Sequence, residues 1–444
     1  MISYIYLKNF KSFSEIFFDL RGSHKIPKKT VFIYGENGAG KSNLIASILF
    51  LIETLYTLKN NKNKEINFDN VNFSDDFMSY ILEFVKKKTA LSIFTLSSLS
   101  SIISKYKMID SNEQSLIVEI GFRINDSNGY YRLECSENEI INETLNYKIK
   151  SVTGNIFSIE KDKINLSPSI FDSDYKKELV KNIEKYWGKH SFFAILFNEL
   201  EEKNNSYIEN TINPTLLSVL NWFRKLSIYY KDSDFETKVI IPKELKLLSN
   251  LDFGIIERSN IKILEETENK LNTFFTSIYS DIEQVYYEKR EEKNEKIFYK
   301  LHFKKLIDNK IFNVPFYLES SGTKNLLNFF PLLLAGVNNV ACIDEIDSGI
   351  HDILVEEILG ALSNVIKGQL IITTHNTLLL EELERKYMYI IYIDFKGNKE
   401  IRCVDDYKKR TQKTNNLRDK YLRGDYGGVP NVGYIDFEDI IGQD

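Results

Sequence analysis

The sequence contains few residues that cross-link or interrupt a chain: 3 cysteines, 7 prolines and 20 glycines among 444 residues. The cysteines, Cys135, Cys342 and Cys403, are odd in number and widely spaced, which argues against a disulfide framework and for a reducing compartment. Hydrophobic residues make up 43% of the chain, enough to bury a sizeable core. This composition favours a helix-rich α/β protein of two or three domains, or one large domain with an insertion.

The sequence also lacks an excess of positive charge, a secretion signal and a long apolar run. The formal net charge is -5, so the overall charge does not indicate nucleic-acid binding, although a local basic patch could still exist within this total. In the opening MISYIYLKNFKSF, Asn9, Lys11 and Ser12 interrupt any signal-peptide core. The apolar stretch at residues 44–58 carries Glu53 and is too short to span a bilayer. We expect a cytoplasmic protein without membrane contact.

A phosphate-binding motif lies between a short apolar run and a helical segment. Residues 31–34 (VFIY) predict a buried parallel strand, residues 35–42 read GENGAGKS, and helical character follows. The glycines let backbone N–H groups face the phosphates of ATP, and the helix N-terminus adds its positive end. Lys41 is expected to reach the β- and γ-phosphates, and the Ser42 hydroxyl to bind Mg²⁺. The predicted ATP-binding residues are Gly35, Asn37, Gly38, Ala39, Gly40, Lys41, Ser42 and Asn43.

Two further apolar runs end in side chains that ATP hydrolysis needs. Residues 340–345 (VACIDE) predict a buried strand followed by Asp344 and Glu345, and residues 370–375 (LIITTH) predict another that ends at His375. Asp344 is expected to hold Mg²⁺, directly or through water, and Glu345 to act as general base. His375 is expected to contact the γ-phosphate. Acids and histidines at strand ends also occur as ordinary loop caps. Because parallel strands end at the same edge of a sheet, however, these residues should lie beside the P-loop, which favours the catalytic interpretation.

A hydroxyl-rich turn precedes a helix in FYLESSGTKNLLNFF, residues 316–330. Ser320 or Ser321 suits the N-cap position of a helix that begins near Gly322, and the helix start presents N–H groups and hydroxyls to an anion. Residues 35–42 already wrap the phosphates within one chain. A second anion-binding turn is therefore most useful to a nucleotide that another subunit holds.

The order of these motifs resembles the ABC-type ATPases of the RecF/SMC class. The similar elements are NFKSF at residues 9–13, GENGAGKS, SSGTK at residues 320–324, VACIDE and LIITTH. Within that class, ESSGTKNLLNFFPLLL at residues 319–334 and YLRGDYGGVP at residues 421–430 are similar to the AbiLi/RloA-like ATPases of bacterial phage defence. The resemblance covers about residues 1–165 and 300–435.

The resemblance implies that two heads sandwich two ATP molecules. Each ATP would lie between the P-loop of one subunit and the signature turn of the other, so that Ser320 and Gly322 act in trans. It also implies self-association as a dimer or higher homo-oligomer, and a partner effector protein that is encoded nearby.

The predicted fold is an α/β P-loop ABC-type ATPase head with a mixed sheet, an N-terminal antiparallel β lobe and an inserted helical subdomain. Residues 1–165 would form the N-terminal part of the head, with antiparallel strands at LIVEIGFRI, YYRLEC and LNYKIK. Residues 166–300 would form the helical insertion, a short stalk or bundle, because Pro214, Pro242 and Gly254 argue against a long coiled coil. Residues 301–444 would complete the head, and the Asn- and Lys-rich residues 59–72 predict an exposed loop.

Three functions are compatible with the sequence. The first is a Mg²⁺-dependent ATP-hydrolysing switch of anti-phage defence. The second is a nuclease or toxin that acts on nucleic acid by itself, which the short segment after His375 disfavours: its acids, Asp394, Glu400, Asp405 and Asp406, form no D-x-D pair after a strand. The third is a RecF/SMC-like DNA-binding repair ATPase, against which the acidic charge and the short insertion weigh. YLRGDYGGVP either docks a partner or folds back as a clasp.

Overall fold

The computed structural model describes most of the chain: residues 1–58, 98–111, 114–150, 152–202, 212–231, 237–292, 295–407 and 416–430, with residues 435, 437 and 441. The exposed loop predicted at residues 59–72 lies outside these residues. The described part forms three β-sheets and a set of mostly short helices. None of the described helices is both long and apolar enough to cross a membrane.

Strands and helices take similar shares of the described part of the chain. In chain order they are β1 Ile2–Phe10, β2 Phe13–Asp19, β3 Thr30–Gly35, β4 Leu116–Ile124, β5 Ser127–Cys135, β6 Ile140–Ile149, β7 Val152–Glu160, β8 Lys163–Leu166, β9 Ser227–Lys231, β10 Thr237–Ile240, β11 Phe253–Glu257, β12 Ile282–Glu292, β13 Lys296–Ile307, β14 Lys310–Pro315, β15 Val340–Ile343, β16 Gln369–Thr373, β17 Met388–Ile393 and β18 Lys399–Cys403. The α-helices are α1 Lys41–Leu55, α2 Leu99–Tyr106, α3 Ser173–Tyr186, α4 Phe192–Glu202, α5 Pro214–Arg224, α6 Ile261–Ile278, α7 Ser321–Asn338, α8 Asp352–Ser363, α9 Leu379–Glu382 and α10 Leu417–Leu422.

The first sheet is antiparallel throughout, in the order β2–β1–β4–β5–β6–β7–β8. It is the N-terminal β lobe that the sequence predicted. Strands β4, β5 and β6 fall on LIVEIGFRI, YYRLEC and LNYKIK, whose alternation of apolar and polar side chains indicated strands with two unlike faces.

The second sheet is mixed, in the order β10–β9–β15–β16–β3–β17–β18. Its five central strands run parallel, whereas β10 and β18 pair antiparallel at the two edges. The register pairs Thr30 of β3 with Leu370 of β16, and Gln369 of β16 with Val340 of β15. The carboxyl ends of β15, β16 and β3 therefore lie side by side. The α/β fold with a mixed sheet is confirmed.

Each face of this central sheet packs into its own hydrophobic core. On β3, Val31 and Ile33 face the core that the first sheet shares, while Phe32 and Tyr34 face the second core. Burial on both faces explains why residues 31–34 are apolar without alternation. Helix α1 lies in the first core with all its residues buried except Ser42 and Asn43, which accounts for the long apolar stretch after the P-loop.

The structure differs from the predicted helical insertion over residues 166–300. This segment contains α3, α4, α5 and α6, but also four strands. Strands β9 and β10 extend the central sheet beside β15, while β11 and β12 join β13 and β14 in a third sheet. Residues 227–231 (SIYYK) and 282–287 (IEQVYY) are rich in β-branched and aromatic side chains, which favour strands. Their charged surroundings suggested helices, but β9 pairs with the distant β15 and β12 forms a hairpin with the next strand, β13.

The C-terminal segment of residues 416–430, here called the clasp, folds back onto the P-loop strand. The Tyr421 ring lies edge-on to that of Tyr34, with 5.6 Å between centroids, and its hydroxyl donates to the Gly428 carbonyl at 3.2 Å. Gly428 has a φ of +73°, and a Cβ there would lie 2.5 Å from Ile390 Cγ2 and 3.4 Å from Gly35 Cα. The YLRGDYGGVP segment is therefore packed against the base of the P-loop.

We expect Gly428→Ala to lower the free energy of unfolding by about 2–4 kcal/mol, because left-handed backbone strain adds to steric overlap with Ile390. Equilibrium urea unfolding followed by circular dichroism measures the change. Gly424→Ala is the matched control: its φ is +78° and nothing lies within 4 Å of a Cβ there. Gly424→Ala should lower the free energy of unfolding by only about 1–2 kcal/mol, the cost of a left-handed backbone at a residue with a Cβ. Equal losses in the two variants would contradict close packing of the clasp.

Candidate functional site

The strand ends that the sequence singled out meet at one edge of the central sheet. Strand β3 leads into residues 35–42, β15 into Asp344 and Glu345, and β16 towards His375, and these three strands are neighbours. Burial lowers the pKa of Lys41, whereas the nearby carboxylates of Asp344, Glu345 and Asp347 oppose this shift. The lysine of the P-loop therefore faces a cluster of acids that lie far away in the sequence.

The P-loop follows a left-handed path that its glycines permit. Gly38 and Gly40 have φ values of +81° and +110°, and α1 begins directly after Gly40. A Cβ on Gly40 would lie 2.6 Å from Cζ of Phe13, at the turn between β1 and β2. Gly40 is thus required both by its backbone angle and by the ring against it. Asn37 and Gly38 are exposed at the tip of the loop, while Ala39 is buried beneath it.

Lys41 is bound to its own loop. Its Nζ donates to the carbonyl oxygens of Gly35 at 2.8 Å and Glu36 at 3.2 Å. The side chain is buried, so these two acceptors and the acid cluster replace water around the ammonium group. Ser42 and Asn43 follow it on the first turn of α1 and are partly exposed.

Asp344 and Ser42 come together from two different elements. Oδ1 of Asp344 accepts a hydrogen bond from Oγ1 of Thr373 at 2.6 Å. Burial raises the pKa of Asp344 to about 6, and hydrogen bonds from Thr373 and Ser42 act against this rise. A carboxylate and a hydroxyl oxygen in hydrogen-bonding contact are the donor types that Mg²⁺ takes beside phosphate oxygens. Ser42 and Asp344 therefore fit the predicted metal ligands.

Thr373 also fixes Glu345. The Glu345 amide donates to Oγ1 of Thr373 at 2.8 Å, and the Ile346 amide donates to the Thr373 carbonyl at 3.2 Å. Glu345 adopts a left-handed φ of +49°, which costs roughly 1–3 kcal/mol in a residue with a Cβ. Its partly exposed carboxylate lies 3.9 Å from Nζ of Lys231. One threonine hydroxyl thus holds both acids in place.

Sequence reasoning missed Thr373 and Lys231. Thr373 stands within LIITTH, and its position next to the end of a strand beside β15 was a usable signal. Lys231 ends β9, which the sequence placed in the helical insertion, so no signal pointed to the acids. The residues reach the site because β9 and β16 flank β15 on its two sides.

His375 is exposed at the end of the segment after β16. Its backbone N–H donates to Oδ2 of Asp347 at 2.8 Å. Burial and the charge of Lys41 lower the pKa of His375, while Asp347 and Glu345 raise it, and the net shift is downward. A neutral imidazole beside Lys41 suits a hydrogen bond to a phosphate oxygen.

The signature turn, residues 320–324, lies at the start of α7. Of the two N-cap candidates, Ser320 and Ser321, Ser320 caps the helix: its Oγ accepts from the Thr323 amide at 3.2 Å. A Cβ on Gly322 would lie 2.3 Å from the Gly349 carbonyl oxygen, and Asn325 Nδ2 donates to the Ser348 carbonyl at 2.6 Å. The turn is therefore packed against the loop that follows Glu345.

Ser320 and Gly322 are predicted site residues that form no hydrogen bond with residues 35–43 in the described part of the chain. The structure thus brings together the P-loop, both acids and His375, and leaves the exposed Ser320 facing outward.

Comparison with solved structures finds similarity to SMC head domains. The SMC head domain from Thermotoga maritima is 14% identical, with 90% of this chain and 98% of that chain covered and a TM-score of 0.36. An SmcHead bound to the C-winged helix domain of ScpA is 13% identical, with coverages of 90% and 97% and a TM-score of 0.44. The Smc head domain with a coiled coil and joint from Pyrococcus yayanosii is 12% identical, with coverages of 96% and 99% and a TM-score of 0.42. These values are too low to transfer any property of those proteins to this chain.

Sequence comparison gives the family. No curated protein matches the chain with significance. The family model described as "AAA domain, putative AbiEii toxin, Type IV TA system" matches residues 31–381. This match spans most of the chain and includes the P-loop, both acids, the signature turn and His375. The chain is therefore an ATPase of the AAA/ABC type and belongs to the family of the AAA domain, putative AbiEii toxin, Type IV TA system.

Proposed function

We propose that this chain is a Mg²⁺-dependent ATPase that converts ATP and water to ADP and phosphate and works as a switch. The observation that carries the proposal is the convergence of Lys41, Ser42, Asp344 and Glu345 at one sheet edge, with Thr373 joining the two acids. Such a set can bind phosphates, hold a metal ion and activate water.

The residues divide this work between them. Backbone N–H groups of residues 35–43 wrap the phosphates, and Lys41 exchanges its carbonyl partners for β- and γ-phosphate oxygens. Ser42 and Asp344 hold Mg²⁺, which when bound neutralises phosphate charge and orients the γ-phosphate. Glu345 accepts a proton from the attacking water, and the left-handed backbone that Thr373 stabilises sets the direction of its side chain.

We propose that His375 senses the γ-phosphate as a neutral imidazole. Its lowered pKa keeps it uncharged beside Lys41, so that it can donate one hydrogen bond without repelling the lysine. The backbone N–H of His375 donates a hydrogen bond to Asp347, which lies in the loop that packs against the signature turn. A movement of His375 on loss of the γ-phosphate would therefore shift Asp347 and Gly349, and with them Ser320 and Gly322.

We further propose that two copies assemble head to head, as a dimer or within a higher homo-oligomer. ATP on the P-loop of one copy would lie against Ser320 and Gly322 of the other. Ser320 and Ser321 are exposed at the N-terminus of α7, and the positive end of this 18-residue helix suits a phosphate. The packing of Gly322 on Gly349 would couple this contact to the acids of the same chain.

The biological setting that we propose is bacterial anti-phage defence in the cytoplasm. The family description names a putative toxin of a type IV TA system, and the AbiLi/RloA-like motifs point the same way. The chain would be the ATPase and sensor component that controls an effector protein encoded nearby. The alternative is a RecF/SMC-like DNA-binding repair ATPase, for which DNA binding at low salt, strengthened by ATP, is the required observation.

We expect Lys41→Ala to weaken ATP binding by roughly 100-fold or more, because two charge-assisted contacts to phosphate are lost. Isothermal titration calorimetry measures the affinity, and thermal unfolding checks that the P-loop still folds. Cells that carry the gene with its neighbours should lose protection against phage with the same substitution. Unchanged ATP affinity in a folded variant would refute the P-loop assignment.

We expect Glu345→Gln to retain ATP affinity while turnover falls about 10²–10⁴-fold, because the amide cannot accept the proton of water. Phosphate release measures turnover, and size-exclusion chromatography with ATP should show accumulation of the closed assembly. Glu357→Gln, at an exposed position on α8, is the matched control and should be fully active. Ordinary turnover in Glu345→Gln would remove the general-base role.

We expect Ser320→Arg to abolish hydrolysis while ATP still binds to the P-loop of the same chain. Co-expression with the Lys41→Ala chain should restore about a quarter of wild-type turnover, because half of random dimers would contain one intact composite site. Phosphate release from the purified mixture is the measurement. If co-expression restores nothing although mixed dimers form, the trans arrangement is wrong.

A further inference from the structure

A second lysine reaches the P-loop, from the side opposite to the acids. Lys399 begins β18, at the edge of the central sheet. Its Nζ donates to the Gly38 carbonyl at 2.6 Å and to Oγ of Ser12 at 2.8 Å. The same Nζ lies 5.9 Å from the centroid of the Phe13 ring. Among the described residues, no carboxylate forms an ion pair with Lys399, so its nearest acceptors are neutral oxygens.

The order of strands separates the two lysines of the site. Lys41 lies among Asp344, Glu345 and Asp347, on the side of β3 where β16 and β15 run. Lys399 comes from β18, which lies beyond β17 on the other side of β3. Since the γ-phosphate must lie beside the acids, the rest of the nucleotide extends away from them across the P-loop. That direction leads towards Lys399.

Ser12 links the Lys399 ammonium group to a further donor, Asn43. Asn43 Nδ2 donates to Oγ of Ser12 at 2.7 Å, so the Ser12 oxygen accepts from both Asn43 and Lys399. The proton of the Ser12 hydroxyl is then directed away from these two partners, and Ser12 is exposed. Phe13 packs on Gly40 and holds the β1–β2 turn against the P-loop. The result is a cluster of hydrogen-bond donors beside the first turn of α1.

A phosphate oxygen is a better partner for Lys399 than the two neutral acceptors that it has. The ammonium group now donates to neutral oxygens, whereas an anionic phosphate oxygen would add the attraction of opposite charges to the hydrogen bond. Burial lowers the pKa of Lys399, while the nearby Glu36 opposes the shift. An anion at this place would replace the neutral Gly38 carbonyl and stabilise the ammonium form.

We propose that Lys399 is a nucleotide-binding residue that contacts the α-phosphate of ATP and ADP, with Ser12 and Asn43 as its neighbours. The assignment rests on the proposed function, since it requires a nucleotide on residues 35–43. It divides the triphosphate between two lysines: Lys41 binds the β- and γ-phosphates, and Lys399 the phosphate next to the ribose.

Nucleotide affinities of Lys399→Met test the proposal. Calorimetric titration of the full chain with Mg²⁺–ATP and with ADP should show both affinities falling by a similar factor, about 10-fold or more. Lys396→Met is the matched control, because Lys396 lies exposed in the turn between β17 and β18. This variant should bind both nucleotides as the wild type does. Lys399→Arg should recover most of the lost affinity, and thermal unfolding checks that β18 remains in place.

Other results would overturn the proposal in distinct ways. Equal affinities of Lys399→Met and Lys396→Met would remove any nucleotide contact of Lys399. Weaker binding of ATP alone would place the lysine at the γ-phosphate instead. Tighter binding of both nucleotides would mean that Lys399 only restrains the Gly38 carbonyl in the free protein. If the wild-type chain binds neither ATP nor ADP, the proposed function fails, and this assignment fails with it.

Discussion

The parallel pairing of β3 with β16, and of β16 with β15, is the constraint on which the rest of the structure depends. It places the P-loop, Asp344, Glu345 and the segment that carries His375 along one edge, although most of the chain lies between the first and the last two strands. Parallel strands need long connections. Here those connections form most of the antiparallel lobe, the third sheet and helices that pack on the central sheet. The segments that separate the site residues in the sequence therefore also support the sheet that carries them.

A few side chains then turn this edge into a site. The hydroxyl of Thr373 donates to Asp344 and accepts from the Glu345 amide, which keeps a strained backbone in one conformation. Lys41 is surrounded by acids and loop carbonyls rather than water. A strained backbone such as that of Glu345 and a buried charge such as that of Lys41 persist only where several neighbouring groups hold them in place. The close packing of Gly40 on Phe13 provides such a neighbour for the P-loop itself.

Two further contacts join the site to the rest of the molecule. On one side, Gly322 packs on Gly349, so that the signature turn is fastened to the loop after Glu345. On the other, Gly428 of the clasp lies against Ile390 and close to Gly35. Neither glycine has room for a Cβ: Gly322 lies against the backbone carbonyl of Gly349, and Gly428 against the Ile390 side chain. The loops of the candidate site are thus packed against the signature turn on one side and against the clasp on the other.

The sequence by itself determined the parts that depend on local order: the P-loop, the strands that end at Asp344 and His375, the N-cap at Ser320 and the antiparallel lobe. Each is encoded by turn chemistry or by the alternation of side chains over a few residues. Only the tertiary structure decided that β9 joins the central sheet, that Thr373 and Lys399 touch the site, and that the clasp folds onto the P-loop strand. These features arise from contacts between separate segments, for example 29 residues apart for Thr373 and Asp344 and 361 for Lys399 and Gly38. No local pattern specifies which strand lies beside which.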